Sequence, residues 1–473
     1  MTRRTAADYR AAYAAGADPV AVIDQVLLAA EQLQPTIAAF VELHHDAVRE
    51  QARASAQRWR AGQPLGPLDG VPIPIKDAFD VKGYPTTDGT TFMARGPAQA
   101  DATLVARLRA AGAIIFGKAS LHEIGLGGTG INPRHVTARN PYDPTRFAGG
   151  SSSGSGAAVS AGITPLALGS DAGGSIRIPA ALCGVYGLKP TYGRIPTTGG
   201  ALLCWTLDHV GPLGASLDDL ALFLDATAGA DGRDPACQSA PAYSPIGQIS
   251  PHDDLKGLRL CWAPALVEAA LAPIRAAWRL QLDQLRSAGV QLTEITLSLG
   301  HLHQPVGYVT MAAEAAATQF DWVKTNRDDY ALDTRMLLAV GEQVTAAEYL
   351  RAQQVRRQIA DELAEALGRF DAYISPTTGC TAGPITAAAL ATGEVNAAIN
   401  AEVSRFTFLA NITGFPALSM PAGLVHGLPV GFQLTCLPWQ EARLLSIAAG
   451  LNPLFAALPA PAAMRVPLDA ARP

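Results

Sequence analysis

The sequence is poor in charge and in aromatic residues. Only 16 % of its 473 residues are Asp, Glu, Lys or Arg, and 6 % are Phe, Trp or Tyr. The formal net charge is −5 and the pI about 6.0. No basic block occurs, which argues against a nucleic-acid surface as its main business. The six cysteines (Cys183, Cys204, Cys237, Cys261, Cys380, Cys436) are scattered and form no CxxC, so reduced, buried thiols are expected rather than a disulfide framework. Among nine histidines, one pair, His301 and His303, has zinc-like spacing, and no carboxylate frame surrounds it. No metal and no cofactor are expected. Arg3 and Arg4 are followed by no apolar run, so no secretory signal is expected. The longest stretches free of charge, Phe147–Ser170 and Phe406–Gln440, are Gly/Ser-rich and proline-broken respectively, unlike a membrane span of about 20 apolar residues. A cytoplasmic protein is the expectation.

What is present is apolar: 49 % of the residues are hydrophobic, too many for global disorder. At roughly 150 residues per domain the length suggests about three domains. The 45 glycines and 34 prolines imply many turns. Residues 6–62 read as amphipathic helices, with Val20, Ile23, Val26, Leu27 and Ala30 at helical spacing. Val71–Ile75 is a short apolar strand ending at Lys76-Asp77. Asp101–Ala111 reads as a helix followed by the strand Ala113–Phe116, the unit an α/β sheet requires. Further helices are expected at Asp218–Ala228, Leu271–Ala288 and Val344–Leu367. Strands are expected at Leu258–Trp262, Val290–Leu297, Ala372–Ser375 and Leu428–Leu434. No clean domain boundary interrupts this series.

The informative stretch is Gly149-Gly-Ser-Ser-Ser-Gly-Ser-Gly156 followed by Asp171-Ala-Gly-Gly-Ser-Ile-Arg177. A flexible linker is disfavoured because apolar segments, Ala157–Ala161 and Leu166–Leu168, continue it. A phosphate loop lacks its GK[ST] signature. Gly150–Gly154 fits GxSxG with Ser152 as nucleophile, but His209, His252, His301, His303 and His426 stand in no distinctive context. A fourth reading places Ser175 at a glycine turn opening a helix, Ser175–Leu182, where backbone N–H groups converge on an oxyanion; it requires a base.

Lys76 in GVPIPIKD, Ser151 in GGSSSGSG and Ser175 in ALGSDAGGSIRIPAALCGVYGLKPTYGR supply that base and resemble the amidase signature family. The three lie 75 and 24 residues apart, and the likeness extends over nearly the whole chain. The resemblance implies an α/β fold: one large domain over residues 1–473 with a mixed twisted sheet covered by helices on both faces. Its parts are N-terminal helices at about 5–62, a catalytic core at about 63–230, a substrate-shaping helical region at about 231–400 and core completion at about 401–473. It implies a Ser–cis-Ser–Lys triad in which Ser175 attacks, Ser151 relays the proton and Lys76 accepts it, with the N–H groups of Ala172, Gly173, Gly174 and Ser175 as oxyanion hole. Lys76 must be neutral to act as a base, and burial at the end of an apolar strand lowers a lysine pKa from about 10.4. Gly150 precedes the cis bond that the family carries. Ser152 is expected as a loop hydrogen-bond former, Asp171 and Arg177 as a structural pair, and Asp77 as pointing away from Lys76. Lys82, Lys118 and Lys189 are expected in solvent, as most lysines are.

By motif position, Gly125, Leu126 and Gly127 run along the substrate, and Leu202 and Trp205 contribute a wall suited to an apolar or aromatic group. Met311–Phe320 and Thr377–Ala397 complete the expected pocket. The GGSSSGSG form resembles stand-alone, fatty-acid-amide-hydrolase-like amidases, some of which split carbamates. The expected partner is therefore a small-molecule amide or carbamate, for a monomer or homodimer. Two alternatives remain: the A subunit of glutamyl-tRNA amidotransferase, a glutaminase within a complex, and a Ser-His-Asp esterase using Ser152.

Overall fold

A computed structural model describes residues 3–94, 96–455, 458 and 461. Its strands are β1 (Phe40–Glu42), β2 (Pro72–Lys76), β3 (Ile114–Ala119), β4 (Arg139–Asn140), β5 (Asp143–Phe147), β6 (Leu166–Asp171), β7 (Tyr186–Lys189), β8 (His209–Gly214), β9 (Arg259–Trp262), β10 (Gln291–Glu294), β11 (Ala372–Pro376), β12 (Ala417–Val425) and β13 (Leu428–Thr435). Eleven of them form one mixed sheet in the order β1-β3-β2-β6-β8-β7-β12-β13-β11-β9-β10, and β4 and β5 form a separate ribbon. The α/β expectation holds, and β9, β10 and β11 carry the region 231–400 back into the sheet. The parallel pairs β2–β3 and β9–β10 are each joined through a helix, Thr103–Ala110 and Ala272–Ser287, as parallel neighbours require.

The expected helices and strands are found within a few residues, while β1, β7, β8, β12 and the helices His303–Thr318, Leu332–Gly341 and Glu441–Leu451 are not among those expected. The N-terminal helical stretch is interrupted at Ala38, whose φ of +50° ends the helix Pro19–Ile37. The next residues form β1, pairing antiparallel with β3, before the helix His45–Arg60 begins. Three residues are too few for a period-2 signal to register.

The sheet is buried on both faces, and the faces differ. Leu166 and Leu168 of β6 enter the main core, while Ala167 enters a small cluster with Val159, Ile176, Ala180, Val185 and Leu213. On that second face lie two short helices, Ser153–Ser160 and Arg177–Cys183. They sit close to the sheet because glycines face them. A Cβ on Gly187 would come 2.6 Å from Ala180 Cβ, and one on Gly431 2.7 Å from Ala181 Cβ. The glycine-rich composition is thus a packing requirement.

Pro72 and Pro74 stand in a central strand, where a missing N–H is normally excluded. The β2–β3 register shifts between Ile73 and Ile75, so Pro74 falls at the irregularity. The strand then delivers Lys76 into the interior, fully buried. A second core, built from helices His303–Thr318, Leu332–Gly341, Ala346–Leu367 and Phe408–Thr413, covers the region in front of the two short helices.

Candidate active site

Lys76 Nζ lies 2.6 Å from Ser151 Oγ and 2.8 Å from Ser170 Oγ. The Gly150–Ser151 peptide is cis. Only glycine fits at 150, because a Cβ there would lie 2.5 Å from the Gly130 nitrogen. Ser175, 8 % exposed, shares a cavity of about 250 Å³ with Lys76, Ser151, Ser170, Asp88 and Asp208. The Ser152 N–H donates to the Ser175 carbonyl at 3.2 Å, which ties the two serine loops together. Three sequence-predicted residues, Lys76, Ser151 and Ser175, are therefore brought to one place. Burial lowers the Lys76 pKa to about 8, against the opposing pull of Asp88, Asp208 and Asp171.

The turn before Ser175 is held by Asp171, which accepts from the Gly174 N–H at 2.7 Å and the Ile176 N–H at 3.1 Å. Arg177 grips the same carboxylate at 2.9 and 3.0 Å, and both side chains are fully buried. The guanidinium also donates to the Thr407 carbonyl, Gln433 and Asn411, linking the loop to β13 and to helix Phe408–Thr413. Burial alone raises the Asp171 pKa, but Arg177, Asn411 and Lys189 outweigh it and hold the carboxyl well below the usual range. The pair braces the loop, as its sequence position suggested. One oxyanion assignment is corrected: the Gly174 N–H is taken by Asp171, which leaves those of Ala172, Gly173 and Ser175 without an acceptor among the described residues.

The sequence pattern of the Amidase family matches residues 21–445. The chain belongs to that family. It is 36 % identical to a fatty acid amide hydrolase of Oryza sativa subsp. indica over 458 residues, covering 94 % of this chain and 75 % of that one. It is also 36 % identical to the A subunit of a glutamyl-tRNA(Gln) amidotransferase of Chloroflexus aurantiacus over 464 residues, covering 93 % and 94 %. The solved structure of a bacterial aryl acylamidase of the amidase signature family superposes with a TM-score of 0.87 at 25 % identity over 96 % of each chain. An amidase is accordingly an amide hydrolase, and the sheet with its helical cover is the amidase signature fold.

Several expectations need correction in this amidase. Ser152 is fully buried; its Oγ donates to the Ser170 carbonyl at 3.1 Å and accepts from the Ser170 N–H at 3.3 Å. It does not line the cavity, so the elbow reading has no exposed nucleophile. Lys118 and Lys189 are fully buried, not solvated. Lys118 pairs with Asp77 at 2.8 Å and donates to the carbonyls of Phe79 and Pro85, which directs Asp77 away from Lys76 as expected. Lys189 donates to the Pro190 carbonyl, and burial together with nearby Arg177 depresses its pKa. Sequence spacing does not reveal such internal partners. His303 is buried between the carbonyls of Gly300 and Arg405. No group of three metal-ligating side chains is assembled among the described residues, and no helix among them is long and apolar enough to cross a membrane.

The expected substrate residues separate into two sets. Gly125, Leu126 and Gly127 line a channel with Ser175, Tyr308, Met311, Leu337 and Phe408. It continues into an outer cavity of about 970 Å³ walled by Leu126, Tyr308, Leu332, Met336, Leu337 and Val340. Leu202 and Trp205 instead line a different pocket, with Tyr192 and Asp208. Met311 is a wall residue; Phe320, at the end of the same expected stretch, is exposed. Of Thr377–Ala397, the wall is formed by Glu394, Val395 and Ala397.

Sequence reasoning missed Ser170, Asp88 and Asp208. Ser170 directly precedes Asp171 in the motif and could have been found there. Asp88 has a φ of +49° and faces Ile124, at +46°, whose N–H donates to the Asp88 carbonyl at 2.8 Å. A left-handed isoleucine is a backbone outlier of the kind that clusters at functional sites. No sequence pattern announces it.

Proposed function

We propose that the protein hydrolyses the C–N bond of amides, with carbamates as a further substrate, through a covalent acyl-enzyme formed on Ser175. The single observation carrying this reading is the buried Lys76 amine, 2.6 Å from Ser151 Oγ in the cavity that contains Ser175. Ser175 Oγ attacks the carbonyl carbon as its proton passes to Ser151, whose own proton passes to neutral Lys76. The N–H groups of Ala172, Gly173 and Ser175 hold the oxyanion. The proton returns through Ser151 to the leaving nitrogen, the C–N bond breaks and the amine departs. Water then repeats the sequence on the ester and releases the acid. The reading requires no cofactor, and a cytoplasmic monomer or homodimer suffices.

The apolar channel of Leu126, Met311, Leu337 and Phe408 favours an apolar acyl group over the polar head of glutamine. A second reading, the A subunit of an amidotransferase, is favoured by the 36 % identity covering 94 % of that relative. One hydrolysis panel tests both: glutamine, an aliphatic amide, an anilide and an aryl carbamate. The expected result is turnover of the amides, faster than of glutamine, abolished in Ser175→Ala. Turnover of glutamine alone would favour the amidotransferase, and wild-type rates in Ser175→Ala would end the assignment of Ser175 as nucleophile.

A further inference from the structure

Asp208 stands in the turn before β8. One carboxylate oxygen accepts the N–H groups of Leu203 at 2.7 Å and Cys204 at 2.9 Å, which fixes the side chain. The carboxyl makes no other hydrogen bond among the described residues, although Asp208 is only 8 % exposed. Its second oxygen is therefore free to accept a donor from the space it borders. Asp208 borders two spaces. One is the cavity of Lys76, Ser151 and Ser175. The other is a pocket of about 510 Å³ lined by Tyr192, Ile195, Leu202, Trp205 and Pro235.

The position of the proton donor orders these spaces, on the basis of the hydrolase reading above. Lys76 and Ser151 must protonate the leaving nitrogen, so that nitrogen occupies their cavity. The acyl group then takes the channel of Leu126, Met311 and Phe408 on which Ser175 also opens. We propose that the pocket behind Asp208 receives the leaving group, that its occupant is an aromatic amine, and that Asp208 accepts the hydrogen bond of the scissile N–H. The Tyr192 and Trp205 rings suit an aryl group, and the Tyr192 hydroxyl fixes the loop by donating to the Trp205 carbonyl at 2.5 Å. An ester has no N–H to offer, so the same carboxyl selects amides over esters.

The test uses the full chain and three substrates with one acyl group: the anilide, the primary amide and the phenyl ester. Asparagine at 208 retains an oxygen for the Leu203 and Cys204 N–H groups and turns a donor toward the cavity. Asp208→Asn is expected to lower kcat/KM for the anilide about 30-fold relative to the phenyl ester. Trp205→Ala, at a half-exposed side chain, is expected to lower the anilide-to-primary-amide ratio about tenfold. Equal losses on anilide and ester in Asp208→Asn, or an unchanged ratio in Trp205→Ala, overturn the proposal. If Asp208→Asn loses its cooperative melt, aniline as a product inhibitor decides: its inhibition is expected to weaken about tenfold in Trp205→Ala, and unchanged inhibition overturns the subsite. A wild type that cleaves none of the amides overturns the hydrolase reading itself, and the subsite with it. Amide turnover with the wrong variant pattern overturns the subsite alone.

Discussion

The floor and the wall of this site are built on different principles. The floor consists of β2, β6 and the two short helices, where glycine and alanine bring the backbone close and buried polar groups satisfy one another. Arg177 alone reaches Asp171, Thr407, Gln433 and Asn411. The wall consists of helices from residues 303 to 413, packed through larger apolar side chains such as Tyr308, Met311, Leu338 and Phe408. A floor made of close approaches tolerates little change in size. A wall with exposed Met336 and Val340 at its mouth tolerates more. On the proposed mechanism the chemistry belongs to the tight geometry of the floor, and selectivity to the adjustable wall.

The contrast can be broken most sharply at Lys76. Lys76→Ala is expected to lower kcat/KM by about 10²–10⁴-fold at neutral pH, read by steady-state kinetics on a protein that still melts cooperatively. On the proposed mechanism the neutral amine is the active form, so activity should rise as pH passes through about 8, the Lys76 value. A lysine in water would put that rise above about pH 10. The next effect is on stability. Gly431→Val places carbon against Ala181 and Thr377 in the floor and is expected to cost about 1–3 kcal/mol by denaturant unfolding. Met336→Ala in the wall should stay within about 0.5 kcal/mol and instead raise KM for long acyl groups. A smaller shift is expected from Asp88→Asn. Where ionised, Asp88 raises the Lys76 pKa, while burial pushes its own carboxyl well above the usual range, so its removal should move the acid limb of kcat/KM only slightly to lower pH.

The same contrast explains what the sequence disclosed. The floor is written in contiguous motifs: GGSSSGSG and SDAGGSIR each fold on themselves, so Lys76, Ser151, Ser175, Asp171 and Arg177 could be named from spacing and resemblance. Most of the long elements were legible from periodicity, including β9, β11 and β13. The wall was less so. Motif position placed Leu126 along the substrate and Met311 began an expected stretch, but Tyr308, Leu337 and Phe408 come from three distant segments, and each looks like ordinary core in its own helix. Leu202 and Trp205 were expected in the substrate wall, and the fold instead places them in a separate pocket bordered by Asp208. Buried Lys118 failed for a related reason: the carbonyls that satisfy it lie more than 30 residues away.

The central claim is that Ser175 is the nucleophile and that a neutral Lys76 activates it. Labelling with a fluorophosphonate, followed by peptide mass mapping and repeated on Lys76→Ala, tests it most directly. The account predicts one phosphonyl group on Ser175, added at a rate that rises with pH through about 8 and falls at least about a hundredfold in Lys76→Ala. A label on Ser152, or an unchanged rate without Lys76, would contradict it.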